Sequence, residues 1–239
     1  MDFREDSRIL NPMKGYRFIG QDKGRVAILA ADGKTVEWEV PCRHNSHDIE
    51  ALPNGNFLLH TAPDRIVEMT PNKQVVWEWQ SKPVAPYNGR VEIHGFQRVG
   101  RDVTMIAETG NLRVLEVDRP GRILKSVLLT VERPDSHRDT RRVRKIARNR
   151  YLVCHEGLGI VREYDDKGKI VWEYTLDLNN QPATPNHDGH GVAVFNALKL
   201  RNGNVLIAGG NNNRVFEVDQ RSKKVVWSVE RDELRDTNG

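Results

Sequence analysis

Eight histidines lie unevenly along this 239-residue chain. His44, His47, His94, His137, His187 and His190 fall in or beside long irregular connections, whereas His60 and His155 end short apolar runs. Arg43, Arg138, Arg141 and Asp188 sit among them. Imidazole has an ordinary pKa near neutrality and serves as base, nucleophile or metal ligand. Guanidinium grips sulfate, phosphate or carboxylate with paired hydrogen bonds. The set suits binding of an anion, or proton transfer on one. Candidate ligand-binding residues are therefore Arg43, His44, His47, His94, His137, Arg138, Arg141, His155, His187, Asp188 and His190. Of these, His47, His94 and Arg141 are the candidates for catalysis. No metal site is expected. His44/His47 and His187/His190 are H-x-x-H pairs, but zinc takes roughly three or four convergent ligands and no spacing here supplies them.

The elements that position these residues repeat. Residues 24–40, 64–79, 112–128, 159–174 and 213–229 each read as strand, polar turn, strand. A second hairpin precedes the first at residues 47–60, 94–107, 141–154 and 195–208. Asn54-Gly55 and Asn202-Gly203 mark two-residue turns. Residues 7–10 and 16–20 form a degenerate version at the start. Trp38, Trp77, Trp172 and Trp227 recur in the fourth strand, where blade three has Lys125. Four strands in about 40–50 residues, with a large aromatic at one register, is the pattern of a β-propeller blade. The expected fold is all-β: five four-stranded antiparallel blades, near 7–40, 47–80, 94–130, 140–176 and 195–230, in one domain covering 1–239. Five blades either close as they stand or form a fragment of a six- or seven-bladed ring.

With the four strands of a blade lettered A to D in order, the A–B and C–D hairpin turns share one rim, and the B–C and D–A connections share the other. All eight histidines map to that second rim. His47, His94 and Arg141 align at the start of the first strand, a slot that the fifth blade fills with Phe195, and are expected at the mouth of the central channel. Glu68, Glu116, Glu163 and Glu217 recur in the third strand, regular enough to be structural, either on outward faces or in blade-to-blade pairs with Arg65, Arg113 and Arg214.

The repeat carries a resemblance. DDKGKIVW at residues 165–172, echoed at 32–38, resembles the PQQ-like propeller repeat. The L-x-N-G-N hairpin followed by V-x-E-x-D and V-V-W is similar to arylsulfotransferase-type propellers and to uncharacterised bacterial PQQ-binding-like propeller proteins. Across nearly the whole chain the resemblance implies fold, and less about activity. It implies export to the periplasm or cell exterior, although residues 1–10 carry no signal-peptide core. Quinone-dependent relatives have more blades and adjacent cysteines. Cys42 and Cys154 stand far apart, so no PQQ and no other cofactor is expected.

The mean hydropathy of −0.63 and the lack of a long apolar run leave no membrane span. A net charge of +4 suits an anionic ligand but falls short of a nucleic-acid signature. The basic run at residues 138–150 has no interleaved aromatic platform, so no nucleic acid is expected. Three functions follow in order. The first is a propeller that binds a small anionic or sugar-like ligand, or a protein partner, at the His/Arg-rich rim. The second is an arylsulfotransferase-like transferase or lyase using a channel histidine, His47 or His94, with Arg141 stabilising negative charge. The third is a quinone-dependent oxidoreductase.

Overall fold

The computed structural model describes residues 15–22, 24–44, 46–176, 194–209 and 214–230. Backbone contacts divide the chain into two compact units, Met1–Gln80 and Ser81–Gly239. Five antiparallel sheets make up the described residues, with one short 3-10 turn at Glu156–Leu158.

In the first unit, β1 (Phe18–Asp22), β2 (Arg25–Leu29) and β3 (Val36–Pro41) form a three-stranded sheet. The strand expected at residues 7–10 lies outside the described residues. The next blade is complete: β4 (Glu50–Ala51), β5 (Phe57–Ala62), β6 (Arg65–Met69) and β7 (Val75–Gln80). The second unit holds three blades, each a four-stranded meander in sequence order. The first is β8 (Ile93–Arg98), β9 (Val103–Glu108), β10 (Arg113–Asp118) and β11 (Ile123–Leu128). The second is β12 (Arg142–Ala147), β13 (Arg150–His155), β14 (Ile160–Asp165) and β15 (Ile170–Thr175). The third is β16 (Val194–Lys199), β17 (Val205–Gly209), β18 (Arg214–Val218) and β19 (Val225–Glu230). The central strands are buried on both faces, as Met105, Ile106, Leu115, Leu152 and Val153 show. Continuous Val/Ile/Leu runs there, with partly exposed fourth strands, follow from sheets sandwiched between sheets.

The recurring residues have identifiable tasks. The Trp38 indole N–H donates to the Pro71 carbonyl of the next blade at 2.8 Å. Trp172 does the same to Gln220 at 2.8 Å. Blade three keeps the inter-blade contact by other means: the Lys125 ammonium reaches Asn149 at 3.4 Å and Asp166 at 3.3 Å. Replacing Trp172 with Phe should therefore cost about 1 kcal/mol, the worth of one hydrogen bond. A lowered denaturation midpoint at unchanged m-value would report it.

The strand-three glutamates are structural, but their partners differ from those expected. Glu68 accepts from Asn54 at 3.3 Å and Asn56 at 2.6 Å. Glu217 accepts from Asn202 at 2.9 Å and Asn204 at 2.6 Å. Each carboxylate clamps the Asn-Gly-Asn turn of its own blade, while Arg65, Arg113 and Arg214 pair with Glu78, Glu108 and Glu230. Those turns are also one residue longer than the two-residue reading. Gly55 N–H donates to Leu52 O at 2.9 Å and Leu52 N–H to Asn56 O at 2.8 Å. That pattern is a type I turn followed by a left-handed glycine.

Candidate functional site

The second unit gathers a polar cluster on the rim made by the B–C and D–A connections. Glu92 precedes β8 and His94 lies within it. The β8–β9 register slips between Ile93 and Gly95, which makes His94 the extra residue of a β-bulge. Bulges re-aim a side chain, and this one brings His94 onto Glu92. The same slip recurs between Val194 and Asn196, at Phe195. The slot aligned in the sequence as His94 and Phe195 is thus a bulge position in both blades.

His137 comes from the connection after β11. Asp135 shapes that connection by accepting from the backbone N–H of His137 at 2.9 Å and of Arg138 at 3.1 Å, a local turn of the kind aspartate favours. Thr109 joins the segments. Its hydroxyl donates to Ser136 O at 2.6 Å, and its backbone N–H donates to Glu92 O at 2.9 Å. Gly95 allows blade to approach blade: a Cβ there would lie 3.0 Å from Val143 N.

Glu92 Oε2 accepts from His94 Nε2 at 2.8 Å and from His137 Nδ1 at 2.7 Å. The two rings meet edge to face with centroids 5.0 Å apart. Arg90 ion-pairs with Glu92 Oε1. Burial alone would raise the Glu92 pKa, but the His137 and His94 hydrogen bonds overcome it and hold the carboxyl well below its ordinary range. His94 is fully buried. Desolvation pushes it down to about 4, against the pull of Glu92 and with help from Arg141. At neutral pH the pair is therefore ionised Glu92 and neutral His94 donating through Nε2. His137 is 37% exposed at its side chain and donates to Glu92 through Nδ1.

Arg141 faces this group from just before β12. Its Nε lies 3.2 Å from Glu156 Oε2, and its guanidinium carbon sits 4.9 Å from the Phe195 ring centroid. Arg141 Nη1 is buried and has no hydrogen-bond partner among the described residues. Burial lifts Glu156 to about 7, with Arg141 pulling the other way. Burial also lifts Asp139 to about 7, although Gly110 N–H donates to its Oδ2 at 3.0 Å.

The structure thus brings His94, His137 and Arg141 together. Arg138 sits beside them but turns to Asp135, with Nη2 at 2.9 Å and Nε at 3.2 Å. His155 is a latch: its Nδ1 donates to Asp139 O at 2.6 Å and its Nε2 accepts from the Tyr164 hydroxyl at 2.8 Å. Fully buried, it fixes the connection and does not face solvent. Arg43, His44 and His47 belong to the first unit. There Arg43 is exposed, the His44 carbonyl accepts from Gln21, and His47 meets His60 edge-on at 6.4 Å between centroids. His60 Nδ1 pairs with Ser46 Oγ at 2.9 Å. His187, Asp188 and His190 lie outside the described residues.

Four participants escaped the sequence reading: Glu92, Thr109, Asp139 and Glu156. Only Glu92 left a signal, as the E-x-H spacing at the head of a strand.

Repeated four-stranded blades carrying a histidine, arginine and carboxylate cluster on their connection rim define a β-propeller protein with a polar rim site. The chain belongs to the PQQ-like propeller family whose model is described as outer membrane protein assembly factor BamB, matching over residues 13–237. No curated protein sequence matches the chain. Among solved structures, it is similar to a protein of unknown function from Bacteroides caccae, at 20% identity and TM-score 0.71, covering 89% of this chain and 71% of that one. It is similar to virginiamycin B lyase from Staphylococcus aureus at 14% identity and TM-score 0.56, covering 92% and 71%. BamB from Moraxella catarrhalis matches at 11% identity and TM-score 0.51, over 89% of this chain and 61% of that one. These likenesses establish the fold alone.

Proposed function

We propose that this protein binds a small anion, of sulfate, phosphate or carboxylate type, at Arg141 and His137. One observation carries the reading: the buried Arg141 Nη1 has no described acceptor. Leaving a buried donor unmatched costs about 1–3 kcal/mol, which an anionic ligand would recover. Calorimetric titration with sulfate and phosphate tests it. Wild type should bind one equivalent. Arg141→Gln should weaken binding at least about tenfold, and Arg138→Gln, whose guanidinium serves Asp135, should have little effect. Equal binding by wild type and Arg141→Gln would overturn the reading. The ligand class extends to acidic sugars.

The site also sets a pH dependence. Arg141, His137 and Arg138 favour ionised Glu156, while burial and Asp135 oppose it. Below about pH 7 protonated Glu156 leaves the Arg141 charge to the ligand; above it, the carboxylate competes. Sulfate affinity should fall roughly fivefold to tenfold as pH rises through that value, and Glu156→Gln should remove the fall.

A second reading, an acid–base lyase or transferase, is favoured by the Glu92–His137 pair. A carboxylate on Nδ1 fixes the orientation and tautomer of the ring. On this reading His137, partly exposed, is the base, and the buried His94 is a positioning residue. The S. aureus neighbour shows that lyases occur on this fold. Turnover retained in His137→Ala would count against it. Membership of a family described by outer membrane assembly supports a place in the cell envelope, with a protein partner as an alternative occupant of the rim. Cell fractionation would check that location.

A further inference from the structure

We infer that Glu92, His94 and His137 form a binding site for one divalent transition-metal ion of the zinc type. Glu92, His94 and His137 each offer one ligand atom, all within 4.8 Å of one another, two of these residues buried and one partly exposed. Two imidazoles and one carboxylate, with a further position open, is the donor set of catalytic zinc. The three ligands come from the head of one strand and the connection leading to the next blade.

Geometry supports the assignment. Both imidazoles converge on the same oxygen, at 2.8 and 2.7 Å. Metal bonds of about 2.0–2.1 Å set tetrahedral ligand atoms roughly 3.3 Å apart. An ion therefore needs each Glu–His pair to open by about half an ångström, with each imidazole carrying its proton on the ring nitrogen that does not bind the ion. The half-exposed His137 provides the entry path. The outer partners of a metal site are also present. Arg90 engages the second oxygen of Glu92. Thr109 ties the Glu92 backbone to the residue before His137, and Asp135 caps the His137 backbone. Arg90 and Arg141 oppose a cation electrostatically, while Glu92 and Glu156 offset them. The site deepens the anion reading, because the bound ion would present a second positive charge beside Arg141; its existence does not depend on that reading.

Titration of chelator-treated protein with Co²⁺, followed by competition with Zn²⁺, tests it. One equivalent of Co²⁺ should bind per chain, with the visible absorption of a four- or five-coordinate N/O site, and Zn²⁺ should bleach it. His137→Ala, at a partly exposed position, and Glu92→Gln should each weaken Co²⁺ binding by more than about tenfold. Circular dichroism establishes that each variant is folded. No Co²⁺ site in folded wild type, or a site bound as tightly by folded His137→Ala and Glu92→Gln as by wild type, overturns the assignment. Sulfate binding by metal-free protein without any Co²⁺ site would sink the metal and keep the anion reading; the converse would do the opposite.

Discussion

Replacing Glu92 with Ala should lower the unfolding free energy by about 3–5 kcal/mol, the cost of removing one partner from a buried charge-paired group. The carboxylate is 3% exposed and receives His94, His137 and Arg90. Without it, the Nε2–H of fully buried His94 loses its acceptor. Glu92→Gln should cost less, because an amide oxygen still accepts from the imidazoles. The effect should carry a pH signature. The folded pKa of Glu92 is depressed, so its stabilisation is present above the ordinary value of 4.5 and is lost as pH falls below it. Urea denaturation across that range should show the wild-type and Glu92→Ala curves converging in acid. A constant gap between them would mean that Glu92 is not held as the anion.

Gly110→Ala should cost about 3 kcal/mol or more and disturb the same site. Gly110 adopts φ +73°, and a Cβ there would lie 2.4 Å from the Arg90 carbonyl oxygen and 2.8 Å from the Tyr87 hydroxyl. The left-handed conformation alone costs an L-residue about 1–2 kcal/mol, and the backbone clash forces residue 90 to move. Residue 90 is the one whose side chain meets Glu92, and Gly110 N–H holds Asp139. Stability and sulfate affinity should therefore fall together. Gly100→Ala, with nothing within 4 Å of the added carbon, is the control and should leave both nearly unchanged. A Gly110→Ala protein as stable as that control would remove the tight Arg90–Gly110 approach from the account.

The fold was legible because each blade repeats its own chemistry. Turn residues, the recurring Trp and apolar strands agree at every level, and the exception, Lys125, keeps its inter-blade contact by charge. The site was legible in part. Counting strands put His94, His137 and Arg141 on one rim, because a meander fixes which connections share an edge. Depth was not legible. His155 and His137 look alike in sequence, yet one is a buried latch and the other is partly open. Glu156, in a Glu-Gly-Leu stretch, reads as an ordinary solvated charge until the 3-10 turn buries it under Arg141. The bulge at His94 that makes Glu92 its partner adds one residue to a strand, which side-chain alternation alone does not reveal.

The most direct measurement is a crystal structure of the protein soaked in selenate, with the anion located by its anomalous scattering. A peak within hydrogen-bonding distance of Arg141 Nη1 and on the His137 side of the cluster is the predicted result. Selenate found only at exposed cations such as Arg43, with Arg141 Nη1 satisfied by another residue of the chain, would contradict the anion site.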